Sequence, residues 1–201
     1  LLGMVIGVFA IIVSVTAVSV IDVYFKETLQ FFGSSTVSIS KTSFIQTGNR
    51  DRSLRNRPNI TFEQVERLEG MMQIPVTISP LNGFDIGKVV FQDRETEGNV
   101  QVLGSDENML ANFSYEVDTG RFFTSDDVQY ARPVCVLGSN LVGILFPNEN
   151  PIKKIVKANG RRCEVIGTLK EKGNIFGFSQ DDRIFIPITR GFVVYGGTNR
   201  N

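Results

Sequence analysis

The pattern of apolar and polar positions divides the chain sharply. Residues 1–21 (LLGMVIGVFAIIVSVTAVSVI) carry no charge, and Ser14, Thr16 and Ser19 are the only polar side chains. About 20 apolar residues in a helix span a bilayer core. Helix is the conformation implied, because it satisfies its own backbone polar groups in hydrocarbon, and the hydroxyls can bond back to the preceding turn. Three descriptions fit such a run: a membrane span, a secretory signal peptide or a buried core helix. Signal cores run to about 7–15 residues, so length favours the span, although Ala17-Val18-Ser19 resembles a cleavage site. The abrupt apolar beginning is expected to lie inside a longer protein.

Helical spacing continues past the span. Ile21, Phe25, Leu29 and Phe32 share one face, with Asp22, Lys26, Glu27 and Gln30 on the others. A helix over residues 1–32 is about 48 Å long and exceeds the ~30 Å hydrocarbon core. Gly33-Ser34-Ser35 stops it. A rigid helix of that length couples motion in the membrane to motion outside it; the other reading is an amphipathic helix packed on the domain. Gly3 and Gly7 form the small-x-x-x-small spacing of close membrane-helix contacts.

From Asp22 onward the chain is polar, mixed and punctuated by Gly, Pro, Asn and Asp, as in a folded domain of about 180 residues. Alternation predicts strands at 36–39 and 43–45. Residues 48–59 carry Arg50, Arg52, Arg55 and Arg57, a solvated loop or a contact for an anionic partner. Thr61 and Gln64 fit a capping box ahead of a helix at 62–72, with Phe62, Val65, Leu68 and Met72 on its apolar face. Strands are predicted at 76–79, 88–92 and 99–103, the last two joined by a charged turn at 93–98. The sequence strand, helix, strand belongs on a sheet with a helix packed on one side.

Further on, Thr124-Ser125-Asp126-Asp127 reads as a helix start with acids at the positive end of the dipole. A strand at 133–137 is followed by Ser139 as the cap of a helix over 140–146, with Leu141, Ile144 and Leu145 buried. Strands at 155–158 and 162–169 flank Asn159-Gly160, the strongest short hairpin signal. A Gly-containing loop at 173–182 precedes a last strand at 183–188, and loops on a rigid scaffold commonly carry contacts.

Composition narrows the chemistry. The 21 basic and 21 acidic residues balance, which argues against a nucleic-acid partner. The absence of His excludes Ser-His-Asp triads, Cys-His pairs and His-ligated metals within this chain. No G-x-x-x-x-G-K-[ST] run occurs, so there is no P-loop. Cys135 and Cys163 lie in apolar segments (PVCVLG, RRCEVIG) and read as core thiols, or as a disulfide in an oxidising compartment. For an enzyme, the best residues are the carboxylate pairs Asp126-Asp127 and Asp181-Asp182. Sequence neighbours rarely converge on one site, so no catalytic, cofactor-binding or metal-binding residue is assigned. Alanine at all four acids is expected to cost about 1 kcal/mol at any that caps a helix and otherwise to leave the fold intact.

The ordered series GRFFTSDD, VCVLGSNLVGILFP, NPIKKIVKANGRRCEVIGTLKEKG and DRIFIPIT, over residues 120–189, resembles the extracytoplasmic core domain of MacB-type ABC transporter permeases. The span followed by GSSTVSI is similar to that family's first transmembrane helix and first strand. Three positions depart from its pattern: Lys153 stands where Gly is usual, Cys163 where an aromatic is usual and Cys135 where a small apolar residue is usual.

The resemblance implies an α+β architecture. Residues 1–35 would form a transmembrane helix and stalk. Residues 36–103 would form an incomplete β-α-β part, and 104–201 a second, mainly β part. It implies a permease subunit in the bacterial inner membrane, with most of this chain periplasmic, working as a dimer. ATP and magnesium would act through a partner ATPase domain or subunit, and this chain would hold no cofactor. The periplasmic domain would transmit the motion that moves or extracts a drug, peptide or lipoprotein. Further expected partners are an adaptor with an outer-membrane channel, or a lipoprotein carrier. A membrane-anchored binding or regulatory module without transport is the alternative reading.

Overall fold

The computed structural model describes residues 2–31, 37, 39–40, 60, 62–72, 76–175 and 178–196. Two compact units divide the chain, Leu1–Val37 and Ser38–Asn201. In the first, helix α1 runs unbroken over Leu2–Phe31, within one residue of the predicted limits. The stretch Gly3–Ile21 is long and apolar enough to cross a membrane and buries none of its side chains in protein. Ser19 Oγ donates to the carbonyl of Val15 at 2.9 Å, the back-bonding that makes a hydroxyl tolerable in lipid.

The second unit begins, among the described residues, with a short helix α2 (Phe62–Met71). Its expected cap Thr61, the strand at 43–45 and the Arg-rich stretch 48–59 lie outside the described residues. The strand expected at 36–39 is described at Val37 and Ile39, which take no regular structure.

The strand expected at 76–79 is not formed. Asn112 Nδ2 donates to Thr77 O at 3.1 Å, Asn108 Nδ2 to Ile78 O at 3.5 Å and Ser105 Oγ to Pro80 O at 2.9 Å. These side chains take carbonyls that a ladder would otherwise use. Pro80 itself has no N–H to give. The strand starts just beyond it, as β1 (Leu81–Gly87).

The remaining strands are β2 (Val89–Phe91), β3 (Arg94–Glu95), β4 (Val100–Ser105), β5 (Val117–Gly120), β6 (Val134–Leu137), β7 (Ile155–Ala158), β8 (Arg161–Leu169), β9 (Asn174–Ile175), β10 (Phe178–Ser179) and β11 (Arg183–Pro187). Nine of them make one sheet in the order β1-β4-β11-β6-β8-β7-β2-β3, with β5 also on β8. The pairs β4–β11 and β6–β8 are parallel and the others antiparallel. The charged turn at 93–98 therefore does not join neighbours: β2 and β4 lie far apart in the sheet, and the turn contains β3, which folds back on β2. The boundary expected at 103/104 lies within β4, whose residues Gln101–Ser105 pair with β11.

Helices cover both faces of this sheet rather than one. The cause is the composition of β6 (VCVL) and β11 (RIFIP), which are apolar at nearly every position and need cover on both sides. Cys135, Leu137, Ile184 and Ile186 point into one core with Leu141 and Leu145 of α5 (Ser139–Leu145). Val134, Val136 and Phe185 point into the other. There they meet Met109 of α3 (Met109–Phe113), Val128 of α4 (Ser125–Gln129) and Ile188 of α6 (Ile188–Tyr195).

Several local expectations are corrected. Ser139 is the first residue of α5 and Gly138 is its N-cap; a Cβ at Gly138 would overlap the Asp181 carbonyl. Ile144 stays 40% exposed while Leu141 and Leu145 are fully buried. The last strand ends at Pro187, and α6 follows at once. Its ring Tyr195 stacks on Phe84, with Phe192 edge-on to the same ring. Asn159 and Gly160 both take positive φ, 48° and 79°, the two left-handed residues of a type I′ hairpin turn.

Candidate functional site

The four acids singled out from the sequence do not converge. Asp126 is exposed on α4. Asp127 beside it is 0% exposed and sits in a cage of donors. Arg121 reaches one oxygen at 2.5 Å and Arg132 the other at 3.2 Å. The Thr124 N–H donates to it at 3.1 Å, while Thr124 Oγ1 accepts from the Asp127 N–H at 3.4 Å. This is a reciprocal capping box built with Asp at the position usually held by Glu or Gln. Burial alone would raise its pKa, but the Arg121 hydrogen bond, the Thr124 N–H and hydroxyl and the Arg121 charge together hold it at about 2. A carboxylate so firmly ionised is a structural anion, not a proton-transfer group.

Asp181 is likewise structural. Its carboxylate accepts from the backbone N–H groups of Lys172 at 2.9 Å and Gly173 at 2.7 Å. The loop expected at 173–182 thus holds a small hairpin, β9 paired with β10, closed at its base by Asp181 and by Gln180 N–H to Gly173 O at 3.1 Å. Asp182 accepts from Asn140 Nδ2 on α5. Alanine at all four positions would therefore remove Asp127 and Asp181 from the framework of the fold, contrary to the expectation that it would spare folding.

Next to the Asp181 clamp, at Lys172, lies a polar cluster that the sequence pattern did not single out. Lys172 Nζ sits 3.9 Å from the centre of the Tyr115 ring and donates to the Phe113 carbonyl. Arg183 donates to the Tyr115 hydroxyl at 3.0 Å. Burial, then the Arg183 charge, lowers the Lys172 pKa to about 8 against the opposing pull of Asp181. Burial raises that of Tyr115. An open depression beside the cluster is lined by Ser114, Tyr115, Glu116, Lys170, Glu171 and Lys172, and Glu116 and Lys170 pair across it at 2.7 Å. The cluster ties the end of α3 and the segment that follows β8 to the start of β11. Its only early sign was a Lys placed just before a Gly-containing loop.

Cys135 and Cys163 are both buried and keep free thiols. Burial, then a hydrogen bond with Cys163, pushes the Cys135 thiol well up. Lys153 has φ 65°, the left-handed conformation that favours glycine.

A sequence profile described as the MacB-like periplasmic core domain matches residues 1–199. The chain belongs to that family. Among MacB relatives, the macrolide export ATP-binding/permease protein MacB of Rhodopirellula baltica is 29% identical over 192 residues, covering 94% of this chain and 27% of that protein. The pyoverdine export ATP-binding/permease protein PvdT of Pseudomonas syringae pv. syringae is 26% identical over 98% of this chain and 29% of its own length. The chain thus spans less than a third of these relatives. The periplasmic region of MacB from Actinobacillus actinomycetemcomitans shares the fold, with TM-score 0.63 at 23% identity over 76% of this chain and 66% of that one. So does the extracellular domain of the ABC-type transporter YknZ from Gram-positive bacteria, with TM-score 0.57 at 23% identity over 68% and 67% of the two chains.

Proposed function

We propose that this MacB-like chain is the first membrane helix and periplasmic core of an ABC-exporter permease in the inner membrane, and that its work is conformational. The observation that carries this reading is α1, unbroken over 30 residues. At 1.5 Å per residue it is roughly 15 Å longer than a hydrocarbon core requires. Displacement of its membrane part is therefore delivered outside the bilayer without a joint to absorb it. Of the four acids singled out, Asp127 and Asp181 are bound into the framework of the fold, which fits a transmitter better than a catalyst. ATP and magnesium act on a partner ATPase domain or subunit. A second permease subunit supplies the other half of the pathway, with Gly3 and Gly7 of α1 open to a neighbouring helix. An adaptor with an outer-membrane channel, or a lipoprotein carrier, receives a drug, peptide or lipoprotein on the outer side.

Lys26→Pro in the full-length permease tests this, since an interior proline removes a hydrogen bond and costs about 3 kcal/mol of helix. With the ATPase partner present in proteoliposomes, ATP hydrolysis should persist while substrate export falls away. Export that remains normally coupled to hydrolysis would show that a rigid connection is not required.

A further inference from the structure

On the sheet face opposite α5, the register sets two cations against each other. Val156 and Ala158 of β7, Cys163 and Val165 of β8 and Val89 of β2 point into the core beneath α5. By alternation, Lys157, Arg162, Glu164, Ile155 and Val90 point the other way. Lys157 lies directly across from Arg162, and Val90 lies on the other side of Lys157. Glu95 ends this row across β3, but it is engaged by Lys88 at 2.8 Å. Neither Lys157 nor Arg162 has an ion pair among the described residues, and both are exposed. Like charges directly opposed across antiparallel strands destabilise a sheet, and Glu164, two residues beyond Arg162 on the same face, makes no ion pair with either cation among the described residues. One row along, Ile155 is 60% exposed and pairs with Glu164.

We propose that this face of β2, β7 and β8 docks an extended acidic segment of a partner protein. A carboxylate of that segment would bridge Lys157 and Arg162, and an apolar side chain two residues away would cover Ile155. The period of two on the face matches the period of an extended chain, so alternate side chains of one segment meet the cationic row and the apolar row together. The inference names a partner surface within the exporter reading. Its test needs neither ATP nor transport, so it stands or falls separately.

The probe is a short fluorescein-labelled peptide alternating Glu with Thr and Val, titrated at low ionic strength against the full chain in phosphatidylcholine nanodiscs. Lys157→Glu and Arg162→Glu should each weaken binding roughly tenfold or more. The charge-matched change Arg190→Glu on α6 should leave it within about twofold. Lys157→Glu also replaces a like-charge pair by an opposite one and leaves Arg162 between two carboxylates, so its Tm should rise by about 1–3 °C while binding is lost. That opposition of stability and binding separates a docking surface from a structural role. Absence of peptide binding, equal binding by Arg162→Glu, or loss of binding by Lys157→Glu accompanied by a lower Tm would each overturn the proposal. So would binding of phosphatidylglycerol vesicles with the same dependence on Lys157 and Arg162 together with displacement of the peptide, which would make the face a lipid contact.

Discussion

Asp127→Asn is the sharpest test of the claim that the buried acid is structural. The substitution keeps the shape and one oxygen to accept from the Thr124 N–H, but removes the negative charge facing Arg121 and Arg132. The folded carboxyl titrates at about 2, below the ordinary value of 3.8, a difference that corresponds to about 2 kcal/mol. Its folded pKa lies below the unfolded one. The contribution is therefore complete above the unfolded value and is lost as pH falls through the folded value. Both arginine side chains are about half exposed, at 48% and 49%. Water can take over their solvation, so the loss should fall short of the 3–5 kcal/mol of a stranded buried charge. Urea unfolding of the full chain in neutral detergent, followed by tyrosine emission, measures the gap. It should be about 2 kcal/mol near pH 7, with about half remaining near pH 3. A gap below about 0.5 kcal/mol at neutral pH, or one that does not change on acidification, would refute the argument that the charge, and not merely the shape, of Asp127 holds α4 in place.

Lys153→Gly should stabilise the domain by roughly 0.5–1 kcal/mol, because φ 65° strains a residue with a Cβ more than it strains glycine; thermal unfolding reads the shift. Lys172 has its pKa lowered to about 8, so the unfolded chain binds the extra proton between there and the ordinary value of 10.5. Stability should therefore rise with pH across that window, and Lys172→Met should flatten the rise in a pH series of urea midpoints. Cys135 and Cys163 should resist iodoacetamide in the native chain and both react after unfolding without reductant, as intact mass shows; a pair that reacts only after reduction would mean a disulfide.

Much of the fold was legible where a local rule coincided with the final environment. Asn159-Gly160 specified its hairpin, Thr124 and Asp127 announced a helix start, and the uncharged run at the N-terminus announced α1. The errors fall where distant partners decide. LNGFDIG has two glycines and no clean alternation, yet it is a strand because β4 offers it an edge. Residues 76–79 alternate properly, yet side chains of Asn108, Asn112 and Ser105 occupy the neighbouring carbonyls. Pro187 read as a terminator, although proline at a helix start loses nothing that the first turn would use. Ile144 fits the apolar period of α5 but faces outward, because Leu141 and Leu145 already fill the space above the sheet. As for the candidate acids, their identity was visible and their destinations were not. A cage built from Arg121, Thr124 and Arg132 is local, but nothing short of the fold shows that it closes over a buried oxygen pair.

The parallel pairing of β4 with β11 sets an order of events during synthesis. Gln101 meets Arg183 across that ladder, about eighty residues later in the chain, so β4 leaves the ribosome long before its inner neighbour exists. Until then it can form only the antiparallel hairpin-like pair with β1, leaving an apolar edge without its ladder. Closing such long-range contacts is slow because loop entropy is spent before the contacts form, and an unpaired edge in the interval invites association with other chains. The yield of folded domain should therefore depend on a chaperone able to shield β4 until β11 arrives.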